Sequence, residues 1–130
     1  NPVLFFEHKA LYRSVYEDVP DNYYTIPFGK ASILKSGSDL TIITFGAPVH
    51  WVLDVHKKHN FSADIIDLRT LKPWDEETCL ESIKKTGRLV MVHEAAKSAS
   101  VGAEIVATLM EKGGDYLGSG PINFRDSHFE

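Results

Sequence analysis

Apolar runs alternate with helical apolar stripes along most of this chain. Leu40 to Phe45 is β-branched and apolar, the pattern of a strand buried on both faces of a parallel sheet. Ala63 to Leu68 and Leu89 to His93 repeat it, and a last short strand is expected over Pro121 to Phe124. Helical patterns lie between. Pro48 suits a first helical position, and that helix runs to about His59 with Val49, Val52, Leu53 and Val55 on or near its inner face. Asp75, followed by Glu76 and Glu77, marks a second helix start: Asp75 is a good N-cap, and the acids suit the positive helix end. Leu80 and Ile83 face inward there, and Gly87 ends the helix. A third helix spans Val101 to about Lys112, with Val101, Ile105, Val106, Leu109 and Met110 at helical spacing and Gly113-Gly114 closing it.

Strand, helix, strand, helix, strand, helix, strand is the order of right-handed crossovers over a parallel sheet. The fold class is therefore α/β: three layers, α/β/α, around a mostly parallel sheet of about five strands. The strand over Ala31 to Leu34 is joined to the next by the turn signal Gly37-Ser38-Asp39. So tight a turn cannot join parallel strands, so this strand is expected to run antiparallel at or near an edge. Residues 1–30 hold no sustained period. Val3 to Phe6 reads as a strand, and Tyr12 to Pro27, with Pro20 and Pro27, as an extended linker.

Composition narrows the function classes. A length of 130 residues with 43% apolar and 25% charged residues suits one soluble globular domain. The net charge is −4 and no basic block stands out, so no nucleic-acid partner is expected. The longest apolar runs are far too short for a bilayer, so no membrane partner is expected either. Cys79 is the single cysteine and cannot form an internal disulfide. That fits a reducing, cytoplasmic setting and a buried structural thiol. The chain opens on Asn1-Pro2 with neither methionine nor signal peptide, and is expected to be a piece of a longer protein.

Candidate chemistry is sparse. Gly46 and Gly102 sit where helices open, but neither belongs to a GxGxxG or Walker pattern, and they read as a tight turn and a close-packing position. His50, His56 and His59 share one helix without carboxylates at ligand spacing. His93 and Glu94 fall at the C-terminal end of a central strand, where open α/β sheets place functional groups. Either a site or interface role, or a structural polar contact, accounts for them. Asp67 and Arg69 lie at another strand end and suit local hydrogen bonds or binding. No nucleophile with a matching base can be assembled.

Several stretches together resemble one family. They are Asn1-Pro2-Val3-Leu4-Phe5-Phe6-Glu7-His8-Lys9 with Leu11-Tyr12-Arg13, Tyr24-Thr25-Ile26-Pro27-Phe28-Gly29-Lys30-Ala31, Ile66-Asp67-Leu68-Arg69-Thr70-Leu71 with Pro73-Trp74-Asp75, Lys85-Thr86-Gly87-Arg88, and His93-Glu94-Ala95. Their order and spacing are similar to the beta subunit of thiamine-diphosphate-dependent 2-oxoacid dehydrogenases, closest to the branched-chain 2-oxoisovalerate type. The resemblance implies a transketolase C-terminal-type domain over 30–130. Residues 1–29 would be the last strand and linker of a preceding pyrimidine-binding domain.

In the full enzyme the resemblance implies oxidative decarboxylation of a 2-oxoacid on thiamine diphosphate with Mg, then acyl transfer to lipoyl. No catalytic or cofactor-binding residue would lie in this piece, which would be inactive alone. Implied partners are the alpha subunit, a second beta subunit and the peripheral subunit-binding domain of the acyltransferase core. A structural potassium ion would take the carbonyl at Asn1. The family usually runs from a Pro-x-x-Arg strand to Asp-x-Pro and a longer tail. Here Pro121 to Arg125 is one residue wider, and Asp126-Ser127-His128 follows directly. Two other readings remain: the matching domain of a transketolase or deoxyxylulose-phosphate synthase, and a stand-alone flavodoxin-like binding module.

Overall fold

The computed structural model describes residues 2–118 and the strand at 122–124. Asn1 and the segment from Arg125 onward lie outside the described residues, so the potassium-ligand expectation and the altered tail do too. The strands are β1 (Ser32–Lys35), β2 (Leu40–Thr44), β3 (Ala63–Asp67), β4 (Leu89–Val92) and β5 (Ile122–Phe124). They form a five-stranded sheet in the order β1-β3-β2-β4-β5. β1 runs antiparallel to β3 at one edge, and the other pairings are parallel. The helices are α1 (Leu11–Ser14), α2 (Pro48–His59), α3 (Glu76–Thr86) and α4 (Val101–Gly113), with a 3₁₀ turn at Gly114–Tyr116.

The sheet carries helices on both faces. Ile43, Ile66 and Met91 pack with Ile83 of α3 and with Ile105 and Leu109 of α4. Ile42 and Ile65 point the other way, onto Val52 of α2. Successive strand residues thus serve opposite cores, which is why β2 and β3 read as continuous apolar runs. Local signals hold up. Pro48 opens α2, the Asp75 side chain accepts from the Thr78 amide at the start of α3, and Gly87 ends α3 at φ 68°.

The turn after β1 does something the sequence does not announce. It does not fold β2 back against β1. It passes beneath the start of β3, which lies between them. The Asp39 amide donates to the Ser62 carbonyl (3.2 Å), and the Gly37 amide donates to Asp64 Oδ1 (2.9 Å). A Cβ on Gly37 would collide with the backbone of Ser62 and Ala63, so only glycine fits this crossing.

The arm before Gly29 differs from its reading in two places. Val3 to Phe6 forms no strand, because no neighbouring strand among the described residues offers it hydrogen bonds. A single helical turn, α1, interrupts the stretch read as linker. The arm is otherwise extended and exposed: Phe5 is 82% and Phe6 86% accessible.

Candidate functional site

The C-terminal ends of the parallel strands gather the sequence-predicted residues, because β2, β3 and β4 stop in register. Thr44 is paired with Asp67 on one side and with Val92 on the other. Asp67 and His93 therefore stand on strands separated by β2.

Asp67 and Arg69 are held by one another. The Arg69 amide donates to Asp67 Oδ1 (3.1 Å), and Arg69 takes a left-handed backbone at φ 58°. Burial pushes the Asp67 carboxyl above its ordinary range, with the Arg69 amide, the Arg69 charge and His50 pulling the other way. The Arg69 side chain is exposed.

His93 and Glu94 are sequence neighbours with opposite fates. His93 is 2% exposed, turned onto α4. Its ring lies parallel to Phe45, with centroids 6.5 Å apart. Its Cδ2–Nε2 edge meets Gly102, where an added Cβ would come 2.6 Å from Nε2. The close-packing reading of Gly102 is thereby explained: α4 approaches the strand end only because residue 102 lacks a side chain. Burial lowers the pKa of His93, with the Ala95 backbone opposing it, so the ring is neutral at pH 7. Among the described residues no group meets Nδ1 in hydrogen-bond geometry, and Thr44 Oγ1 is likewise buried without a partner. Glu94 points outward and meets His8 of the arm, with Oε2 3.2 Å and Oε1 3.4 Å from Nε2.

Sequence reasoning overlooked the cluster at the opposite end of the sheet. Asp64 is 1% exposed and is the second residue of β3. It accepts from Ser82 Oγ (2.6 Å), from Lys85 Nζ (2.6 Å) and from the Gly37 amide. Thr41 Oγ1 extends the network to Ser82 (2.6 Å) and Thr86 (2.7 Å). Burial alone would raise the Asp64 carboxyl, but the bonds from Lys85, Ser82 and Gly37 outweigh it and hold it below the usual range. The one available signal was a carboxylate inside the apolar run Ala63 to Leu68. Cys79 is fully buried in α3, and burial pushes its thiol up to about 12.

The open groove at the start of α4, about 430 Å³, is lined by Ala99, Ser100, Val101, Ala103 and Glu104. Glu104 in the first turn opposes an anion there, and the Ser100 side chain is already engaged, accepting from the Ala103 amide (3.1 Å). These residues do not fit a diphosphate. Among the described residues no three His, Cys, Asp or Glu side chains converge on a metal position. Nor is any described helix long and apolar enough to cross a membrane.

Residues 29–124 match the family model described as "Transketolase, C-terminal domain". The chain belongs to that family. Its relatives include the mitochondrial 2-oxoisovalerate dehydrogenase subunit beta of Dictyostelium discoideum, 50% identical over 116 residues (86% of this chain, 31% of that one). The pyruvate dehydrogenase E1 component subunit beta of Mycoplasma genitalium is 40% identical over 124 residues (93% and 38%). That of Bacillus subtilis is 45% identical over 115 residues (86% and 35%). A solved split gene transketolase, described as an inactive beta4 tetramer, superimposes with a TM-score of 0.62 at 25% identity (86% and 38%). This transketolase C-terminal domain thus spans about a third of the length of the curated relatives it matches.

Proposed function

We propose that this chain is the C-terminal part of the beta subunit of a thiamine-diphosphate-dependent 2-oxoacid dehydrogenase. The parent enzyme decarboxylates a branched-chain 2-oxoacid or pyruvate and passes the acyl group to lipoyl. Residues 1–29 are then the last strand and linker of the preceding domain, and 30–130 serve subunit assembly and docking to the acyltransferase core. One observation carries the assembly role. Trp51 and Val55, four apart on α2, are 40% and 49% exposed, while the strand-end His93 and Asp67 stand apart with β2 between them. Apolar side chains one turn apart on an outer helix face are the mark of a surface that a partner covers. The 50% identity to a 2-oxoisovalerate dehydrogenase subunit beta supports the branched-chain assignment.

In this reading thiamine diphosphate with its Mg sits on other parts of the enzyme. The test is reconstitution. The chain alone should neither bind thiamine diphosphate in calorimetry nor release CO2 from 2-oxoisovalerate or pyruvate. Joined to the rest of its beta subunit and mixed with the alpha subunit, it should do both. Turnover by the chain alone would overturn the proposal.

A further inference from the structure

The chain enters the α/β body at Gly29, Lys30 and Ala31, and the loop from β3 to α3 holds it there. Residues 16–28 are exposed, whereas Gly29, Ala31 and Ser32 are half-buried. The Gly29 amide donates to Thr70 Oγ1 (2.9 Å), and the Ala31 amide donates to Asp75 Oδ2 (3.0 Å). Gly29 takes a left-handed backbone at φ 71°, and a Cβ there would lie 3.2 Å from Pro73 Cγ, so the passage past this loop suits glycine. Ala31, Leu71 and Trp74 pack against the same core cluster. Asp75 is 3% exposed and is bonded on two sides. Besides Ala31 it accepts from the Thr78 amide (3.2 Å) and the Thr78 hydroxyl (2.9 Å) in the first turn of α3. Burial alone would raise its carboxyl, but the bonds from Ala31 and Thr78, with the Lys30 charge, hold it below the usual range, so it is ionised at pH 7. Lys30 and Glu77, 3.9 Å apart, are exposed and add little.

We propose that Thr70 and Asp75 form an entry clamp that grips Gly29 and Ala31 as one unit and makes the junction of arm and body a rigid joint. An ionised carboxylate is a stronger acceptor than a neutral one, and both grips belong to one loop, so releasing either loosens the other. The clamp also couples the entry to a helix. Asp75 Oδ2 is shared by the Ala31 amide and the Thr78 hydroxyl, so displacing the entering chain disturbs the first turn of α3. The clamp is made only of residues within this domain. Its consequence rests on the dehydrogenase reading: with residues 1–29 as the linker, the joint fixes the direction in which the preceding domain meets this one, and the two turn as one body.

Amide hydrogen exchange, followed by NMR in the 130-residue chain, reads the clamp directly. The Gly29 and Ala31 amides should exchange at least about tenfold more slowly than those of an unstructured chain. Thr70→Val keeps the shape and removes the acceptor. It should speed Gly29 about five- to tenfold, and Ala31 with it. Asp75→Ser keeps an N-cap for α3 but offers one oxygen of shorter reach. It should speed Ala31 by a similar factor, and Gly29 with it. Slow exchange at Ile43 and Ile66 confirms that the sheet stays folded in each variant. Exchange of Gly29 and Ala31 at the unstructured rate in the parent chain would overturn the clamp. So would independent responses, each variant speeding only its own amide. Either result leaves the dehydrogenase reading standing, whereas a failed reconstitution would remove the linker's role and leave the clamp.

Discussion

The two ends of the sheet are built on opposite terms. At the N-terminal end, Asp64 is buried with its carboxylate satisfied by a lysine, a serine and a backbone amide. At the C-terminal end, Thr44 Oγ1 and His93 Nδ1 are buried without partners among the described residues. Asp67 is held there in a setting that resists its charge. A satisfied polar network adds rigidity, whereas unpaired buried groups cost free energy. The fold secures itself at one end and leaves the other, where the arm arrives, less well satisfied.

Removing the secure end should cost most. Asp64→Ala takes away the buried carboxylate that the Ser82 hydroxyl, the Gly37 amide and Lys85 share, and urea unfolding at pH 7 should show a loss of about 3 kcal/mol. A loss below about 1 kcal/mol would erase the contrast between the ends.

Acid should sharpen the comparison by separating the ends along the pH axis. The His93 pKa is lowered on folding, so its contribution is intact above the ordinary histidine value, about 6.5, and is lost as pH falls below it. The Asp64 pKa is also lowered, and its contribution holds above about 3.9 and vanishes as pH falls through its folded value. Thermal unfolding between pH 8 and 3 should therefore decline in two stages, the C-terminal end first. His93→Gln should remove the first stage and leave the second.

The smallest effect belongs to Asp67, and its sign is the test. Its folded pKa is raised, so ionisation opposes folding, and stability falls as pH rises through that value. Asp67→Asn keeps an oxygen for the Arg69 amide and loses the charge. Its stability at pH 7 should be unchanged or higher by up to about 0.5 kcal/mol. A clear loss in urea titration would mean that the charge is favourable and the ends are alike.

What was legible in the sequence was local. Asp75 at an N-cap, Pro48 at a helix start, Gly87 at a helix end and Gly102 at a close approach each act through neighbours a few residues away or through backbone geometry. The alternation of strands and helices placed both layers of helix, and the antiparallel edge strand followed from a short connection. What stayed hidden depends on groups far apart in the chain. Asp64 draws its partners from positions 37, 82 and 85, and His8 meets Glu94 from 86 positions away in sequence. The apolar run Val3 to Phe6 showed strand-forming side chains, but a strand also needs a neighbour's backbone, which no apolar pattern supplies. His93 and Glu94 formed one motif on paper, yet alternation along the chain turned one inward and the other toward solvent.

The passage of the chain beneath β3 bears on how the domain comes into being. β1 and β2 are consecutive, yet each finds its hydrogen-bonding partner in a strand made later. A growing or refolding chain thus cannot zip a hairpin from residues 32–44. It must hold two unpaired strands until α2 is passed and β3 slots between them, with Asp64 pinning the connection it has just crossed. Such a nucleus spends loop entropy before any ladder bond repays it, and slow, all-at-once formation of this half of the sheet is the outcome. During that wait, both strands display open edges, and the risk of pairing with a neighbouring chain is greatest then.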